Sequence, residues 1–448
     1  MAGYAALMYA GVWGPSFQGE CMRRTATLLA AAGIVVALVG APLSGAGAQT
    51  SGDWPTYLNN VGRTGYNSAE TVVTPATAPD LTQLWADTAG GAVSAEPIQV
   101  NGVVYYGSWD GHERAVDAAT GTQRWSAFLG QLNDTNCNPP TLGVASTATV
   151  GTITVNGTAT QAVFVAGGTS NFYALNASTG AVIWNTPLGS ATQPDRFLWS
   201  SPLLYNGRIY EGIASCGDSR ARGGIVQLNA VTGTIQHALY TAPSGCLGAS
   251  VWGSATVDTA TGDIYFGTGN ASSCSSTESL ATSVVRTDSS LNLLSSWQVP
   301  ASQRPTRDSD FGSTPTLFTA TIGGVVHQMV GLQNKNGIYY AFDRSAISNG
   351  PLWHKQMAIG GACPQCGKTD ISPSAWDGHH LFVGGEQTTI SGVTCAGSIR
   401  ELRPSTGNTV WADCLSGPVL GAVTAVPGVA FVGAGNTAYA VGTSVIHT

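Results

Sequence analysis

One phrase recurs along this chain and constrains its fold more than anything else. It reads AVDAATGTQRW at 115–125, ALNASTGAVIW at 174–184, QLNAVTGTIQH at 227–237, RTDSSLNLLSSW at 286–297, AFDRSAISNGPLW at 341–353 and ELRPSTGNTVW at 401–411. Each copy is a strand, a tight turn and a second strand that mostly ends in Trp. Asp or Asn opens the turn because its side chain bonds its own backbone, and Gly closes it because it accepts positive φ. Upstream of each copy lies another strand signal, such as GVVYYGS (102–108), DIYFGTG (263–269) or HLFVGGE (380–386). Before that comes a Ser/Pro-rich strand, as in SSPLLYNG (200–207) and GSTPTLF (312–318). Four antiparallel strands in roughly forty to sixty residues make one propeller blade.

Six units are complete. Residues 422–443 supply three strands without a Trp strand, and LTQLW at 81–85 supplies a Trp strand alone. Joining the two closes the ring and leaves no open sheet edge. The expectation is an all-β single propeller of seven blades, its last blade closed by N- and C-terminal strands, with eight if residues 51–80 add strands of their own. The Trp residues are expected to pack between adjacent blades.

The N-terminus reads as a targeting segment. Arg23 and Arg24 form a basic start, residues 27–39 an apolar run, and Ala46-Gly47-Ala48 a small-residue cleavage motif before Gln49. The organisation expected is a mis-assigned upstream extension at 1–21, a secretory signal at 22–48, a lead-in at 49–80 and the propeller at 81–448. The apolar run is too short for a membrane span. The expected home is secreted, extracellular or periplasmic. Nine cysteines become eight once Cys21 is set aside, an even number suited to disulfides after export. Cys395–Cys414 and Cys216–Cys246 each flank a hairpin and are expected to pair. Cys363-Pro-Gln-Cys366 precedes Gly367 and not His, which excludes a c-type haem, and a local disulfide is expected there. A net charge of −7 without a basic cluster argues against nucleic acid. The chain has no GxSxG elbow, so a serine hydrolase is poorly supported.

With its A-x-D-x-x-T-G-x-x-x-W phrases, the sequence resembles the quinoprotein alcohol dehydrogenase superfamily over residues 51–443. Within it, VWGSATVD, YFGTGN, DSDFGSTPTLF and KNGIYYAFDR are similar to the polyvinyl-alcohol-dehydrogenase-like branch. The resemblance implies a site for pyrroloquinoline quinone and Ca²⁺. Asn270 matches an amide metal ligand, Asp310 the catalytic and metal-binding aspartate with Asp308 as its substitute, and Lys335 the residue that contacts the quinone oxygens. Asp218 falls where a carboxylate ligand is expected, although Glu is usual. Trp252 matches the indole that stacks on the cofactor. Cys137 matches half of a vicinal Cys-Cys element whose other half is here Asn136.

The strand order gives an independent check. Asp218, Asn270 and Lys335 fall between second and third strands, while Asp308 and Asp310 lie between a fourth strand and the next first strand. These loops open on one face, in consecutive blades. The implied activity is oxidation of an alcohol or polyol, small or polymeric, with electrons leaving to a separate acceptor because the chain has no haem motif. The other reading is a non-catalytic scaffold of the cell envelope, since this repeat also occurs in propellers of outer-membrane assembly. A metal-ready acidic cluster beside Trp252 distinguishes the enzyme from the scaffold.

Overall fold

The computed structural model describes residues 52–443 apart from 136, 138–139, 189–196 and 275–277, together with the backbones of Tyr4–Leu7 and Ile34–Val39. Six four-stranded antiparallel sheets follow one another at 98–128, 149–187, 203–240, 256–298, 316–356 and 375–415. We call them sheets I to VI. A three-stranded sheet at 424–442 follows. Within each sheet the order of strands in space is their order in sequence, so the fold is a series of meanders arranged like propeller blades. Among the described residues, sheet VI alone carries an inserted hairpin, Thr388–Ile390 and Val393–Cys395, between its second and third strands. Among the described residues no helix is long and apolar enough to cross a membrane.

The recurring phrase is explained by a contact between sheets. The indole Nε1 of Trp85, Trp125, Trp184 and Trp353 donates to the carbonyl of Ala118, Ala177, Ala230 and Pro404, each in the turn of the following sheet. The ring then lies over the glycine of that turn. A Cβ on Gly121, Gly180, Gly233 or Gly407 would come within 2.8 Å of the covering Trp ring, and all four have φ near +70°. Thr-Gly and Trp are therefore two halves of one joint. The turn's first residue secures the joint locally, as where Asn176 Oδ1 accepts the amides of Ser178 and Thr179.

Around the axis, the sheets are stitched by hydroxyls. The amide of Glu96 donates to Thr147 Oγ1, that of Thr147 to Ser201 Oγ, that of Ser201 to Ser254 Oγ, and that of Ser254 to Thr314 Oγ1. This is why the innermost strands are rich in Ser and Thr. A second ring comes from residues 54–67, which run past the innermost strands in turn. They bond Gln99, Val150, Val257, Leu317, Trp376 and Ala425 through the backbone. Arg63, fully buried, fills the remaining place by donating to the carbonyls of Ser201, Pro202 and Ala255 and to Thr56 Oγ1 and Tyr57 O.

Two expectations need correction. Strand Thr82–Thr88, expected to complete the last sheet, pairs with Ile34–Val39 and is not hydrogen-bonded to Thr437–Gly442. The apolar, β-branched run takes the open sheet edge. Arg23, Arg24, Cys21, Ala46-Gly47-Ala48 and Gln49 lie outside the described residues. The other correction concerns disulfides. Cys395–Cys414 and Cys363–Cys366 form as expected, but Cys216 bonds Cys137 and Cys246 bonds Cys274. Cys216 packs in an apolar cluster with Cys137, Trp109 and Phe197, whereas Cys246 packs with Ala242, Ala249 and Ala281. The loops that carry these cysteines reach across sheets, so hairpin geometry does not govern them.

Candidate functional site

Six of the seven positions singled out from sequence are joined into one continuous line of polar contacts. It runs from Asp218 in sheet III, through Asn270 in sheet IV, to Asp308, Lys335 and Asp310 at the junction of sheets IV and V. Trp252 ends the line.

Each residue is placed by its loop. Asp218 sits at positive φ after the second strand of sheet III. Its two carboxylate oxygens accept the amides of Ser250 at 3.0 Å and Asn270 at 2.8 Å. Gly269 makes this approach possible, since a Cβ there would stand 2.5 Å from Asp218 Oδ1. Asn270 Nδ2 donates to Asp308 Oδ1 at 2.8 Å, and Asn270 Oδ1 accepts the amide of Ser309 at 3.2 Å. Lys335 Nζ lies 2.8 Å from Oδ1 of both Asp308 and Asp310. Its amide also donates to the Asp310 carbonyl at 3.0 Å, which fixes the two loops to each other. Trp252 Nε1 donates to Asp310 Oδ2 at 2.8 Å, and Lys335 Nζ stands 4.8 Å from the centre of the indole. Gly312 lies against the far edge of that indole, where a Cβ would meet Cη2 at 2.0 Å.

The electrostatics follow from burial. Three carboxylates face a single ammonium, and Asp218, Asp310 and Lys335 are all buried. Burial pushes the Asp310 carboxyl up to about 7; Lys335 opposes this, while Asp308 and Asp218 add to it. Asp218 is also raised by burial, against the hydrogen bonds from Ser250 and Asn270. For Lys335 burial disfavours the charge, but Asp310 and Asp308 outweigh it and lift the ammonium above its ordinary range. The cluster thus holds a proton-accepting group poised near neutrality beside a cation that stays charged.

Cys137 stands apart from this line. The vicinal-cysteine match is corrected by its bond to Cys216, two residues from Asp218. It packs among Trp109, Phe197 and Leu132, with Trp199 alongside. Two clusters of potential metal ligands occur elsewhere among the described residues, Asp134 with Cys137 and Cys216, and Glu278 with Cys246 and Cys274. In both the sulfurs are spent in disulfides. The sequence reading missed Ser250 and Ser309, whose backbone amides hold Asp218 and Asn270. It also missed Trp199, although a signal was present: Trp199 precedes Ser200-Ser201-Pro202 as Trp252 precedes Gly253-Ser254, so the two are one repeat apart.

A family model described as the glucose/ethanol/alcohol dehydrogenase β-propeller domain matches residues 54–185, and one described as outer membrane protein assembly factor BamB matches 137–278. A polyvinylalcohol dehydrogenase of Pseudomonas sp. is 24% identical over 416 residues, which cover 81% of this chain and 61% of that protein. The chain therefore spans under two thirds of that relative's length. Among solved structures, the quinohemoprotein alcohol dehydrogenase ADHIIG of Pseudomonas putida HK5 superposes with a TM-score of 0.69 at 17% identity, over 87% of this chain and 71% of that one. Quinohemoprotein alcohol dehydrogenase of Comamonas testosteroni gives 0.64 at 18%, over 86% and 70%. The chain shares the β-propeller fold of these dehydrogenases, and its residues 54–185 match their repeat model.

Proposed function

We propose that this protein is an exported dehydrogenase that oxidises an alcohol or polyol with pyrroloquinoline quinone and Ca²⁺ and passes the electrons to a separate acceptor. The observation that carries the reading is the line Asp218, Asn270, Asp308, Lys335, Asp310, with the indole of Trp252 at its end.

The residues suit both groups. Three carboxylates against one ammonium leave a surplus of negative charge, and burial, which raises both Asp310 and Asp218, makes that charge costly to hold there. A hard divalent cation would offset it through the oxygens of Asp218, Asn270 and Asp310. Trp252 offers a flat apolar face next to hydrogen-bonding side chains, as a planar, oxygen-rich cofactor requires. When bound, the quinone supplies the two-electron acceptor and the cation polarises its carbonyl.

The chain's own residues would do the rest. With a pKa of about 7, Asp310 is part ionised at neutral pH and takes the proton of the alcohol hydroxyl on its carboxylate. Trp252 Nε1–H holds Oδ2 and so fixes the plane of that carboxylate. Lys335 Nζ, kept charged by Asp308 and Asp310, donates to oxygens on which negative charge develops. Asp308, with its side chain about one-third exposed, keeps Lys335 in register from the solvent side.

Further features of the reading rest on sequence pattern. Residues 22–48 would be removed on export and Gln49 would begin the mature chain, in a compartment suited to the four disulfides. The ring would have seven blades, the sheet at 424–442 belonging to the last; the seats of Trp125, Trp184 and Trp353 on the turn of the next sheet support this arrangement. A second reading, an envelope interaction scaffold, draws on the assembly-factor match over 137–278.

The deciding experiment titrates residues 49–448 with the quinone, with and without Ca²⁺, and follows tryptophan fluorescence and absorbance. Saturable, Ca²⁺-dependent binding that is lost in Asn270→Ala and Asp310→Ala is expected. A folded sample that binds no quinone under either condition would remove the dehydrogenase reading in favour of the scaffold.

A further inference from the structure

The carbonyl oxygen of Lys335 is gripped from both ends of one loop. It accepts the amide of Gly361 at 2.9 Å and the hydroxyl of Thr369 at 2.8 Å. Between these two residues the chain is cross-linked by Cys363–Cys366 around a short 3₁₀ turn. The far side of the loop is tied to sheet VI, where Thr369 N donates to Glu386 Oε2 at 2.8 Å and Gln387 N to Gly367 O at 3.0 Å. The disulfide thus fixes the spacing of the two groups that hold Lys335.

This bridge differs from the other three. Each of those has at least one buried cysteine, whereas Cys363 is half-buried and Cys366 exposed. It also spans 3 residues, against 79, 28 and 19 for the others. A short span restricts the unfolded chain least, so opening this bridge costs the fold least. Access to an attacking thiolate and a small cost of opening to the fold coincide here.

We propose that Cys363–Cys366 is a thiol–disulfide exchange site whose state sets how firmly Lys335 is held, its reaction partner being a dithiol. A thiolate of the dithiol attacks Cys366 Sγ, forming a mixed disulfide and releasing Cys363 as a thiolate that takes up a proton. The partner's second thiol, as its thiolate, then attacks its own sulfur in the mixed disulfide and frees Cys366, which is protonated in turn. Two electrons and two protons have passed from dithiol to protein, and the partner leaves as a disulfide. With the loop opened, Gly361 and Thr369 are no longer held at a fixed spacing, and Lys335 loosens from Asp308 and Asp310. As a control on Lys335 this bears on the dehydrogenase reading, but its test uses neither quinone nor alcohol, so the two fail separately.

The test titrates the folded full chain with dithiothreitol in native buffer, traps thiols with iodoacetamide and maps them by peptide mass. In parallel, Lys335 is labelled with an N-hydroxysuccinimide acetate, with Lys355 as the internal reference. Cys363 and Cys366 should be trapped together at a reductant concentration that leaves the other three bridges closed. Lys335 labelling should then rise about tenfold, the change expected when a local opening loses roughly one hydrogen bond of stabilisation. The Cys363→Ser/Cys366→Ser protein should show the same rise without reductant. Opening of another bridge first or at the same concentration would overturn the proposal. So would Lys335 labelling that is equal in oxidised, reduced and doubly substituted protein.

Discussion

The indole nitrogen of Trp252 donates a 2.8 Å hydrogen bond to Oδ2 of Asp310, joining residues that are 58 apart in sequence. This bond favours the ionised carboxylate and sets its plane. Replacing Trp252 by Phe keeps an aromatic face but deletes the bond, together with the far edge of the indole against Gly312. The expected result is turnover lowered by about tenfold, in line with loss of one hydrogen bond to a charged group. Quinone affinity should fall much less. Steady-state kinetics beside quinone titration of the same variant checks both.

Asp310 also links stability to pH. Its folded pKa, about 7, is raised above the ordinary carboxylate value mainly by burial. The favourable term is therefore complete below about pH 4 and is lost as pH rises towards 7, because the unfolded chain gives up its proton first. Asp310→Asn removes the titration while keeping the shape. That variant should be more stable than the parent at pH 8 by about 1 to 4 kcal/mol, with little difference at pH 4, and should have no activity. Urea unfolding at the two pH values measures the difference.

The joint between Trp and turn glycine allows a paired comparison. Gly233→Ala would place a methyl 2.5 Å from the ring of Trp184, whereas Gly207→Ala, also at positive φ, meets nothing within 4 Å. Gly207→Ala should cost about 1 kcal/mol, from backbone strain alone. Gly233→Ala should cost roughly 2 to 4 kcal/mol, since the displaced indole also loses its hydrogen bond to Ala230. Thermal unfolding of the two proteins should rank them in that order.

The Trp–Gly joint was visible in sequence because both partners recur with a period, and a joint that repeats leaves a repeated mark. So were the loops of Asp218, Asn270, Lys335 and Asp310, since strand order alone puts them on one face. What escaped lacks such a mark. The partners of Cys216 and Cys246 are chosen by loops that cross between sheets. Residues 54–67 bind the ring chiefly through backbone groups, which any sequence supplies. Arg63, and Thr56 through its hydroxyl contact with Thr149, add side-chain information there, but a lone arginine in a polar lead-in reads as solvated.

That arginine gives a further test. Arg63 donates to four backbone carbonyls and Thr56 Oγ1 in the centre of the molecule, so removing it strands those acceptors without water. Arg63→Ala should destabilise the protein by about 3 kcal/mol or more. Arg63→Lys should recover little, since one ammonium cannot serve acceptors arranged for a fork. Limited proteolysis should cut both variants within 54–67 before the propeller itself.

Calcium and protons should compete at the site. Asp218 and Asp310 both hold protons more tightly than ordinary carboxylates, through burial. Ligand oxygens must be free of protons to bind a cation, so affinity should climb as pH passes through 7 and level off above it. The same climb should show in stability, because a cation that binds only the folded chain raises its unfolding free energy. Excess Ca²⁺ should therefore raise the unfolding temperature clearly at pH 8 and hardly at pH 5. Asp310→Asn should weaken the effect at pH 8 and leave the remaining shift less dependent on pH, while Asn270→Ala should weaken it without moving its pH midpoint. A Ca²⁺ stabilisation that is equal at pH 5 and pH 8, and unchanged in both variants, would place the cation away from this cluster.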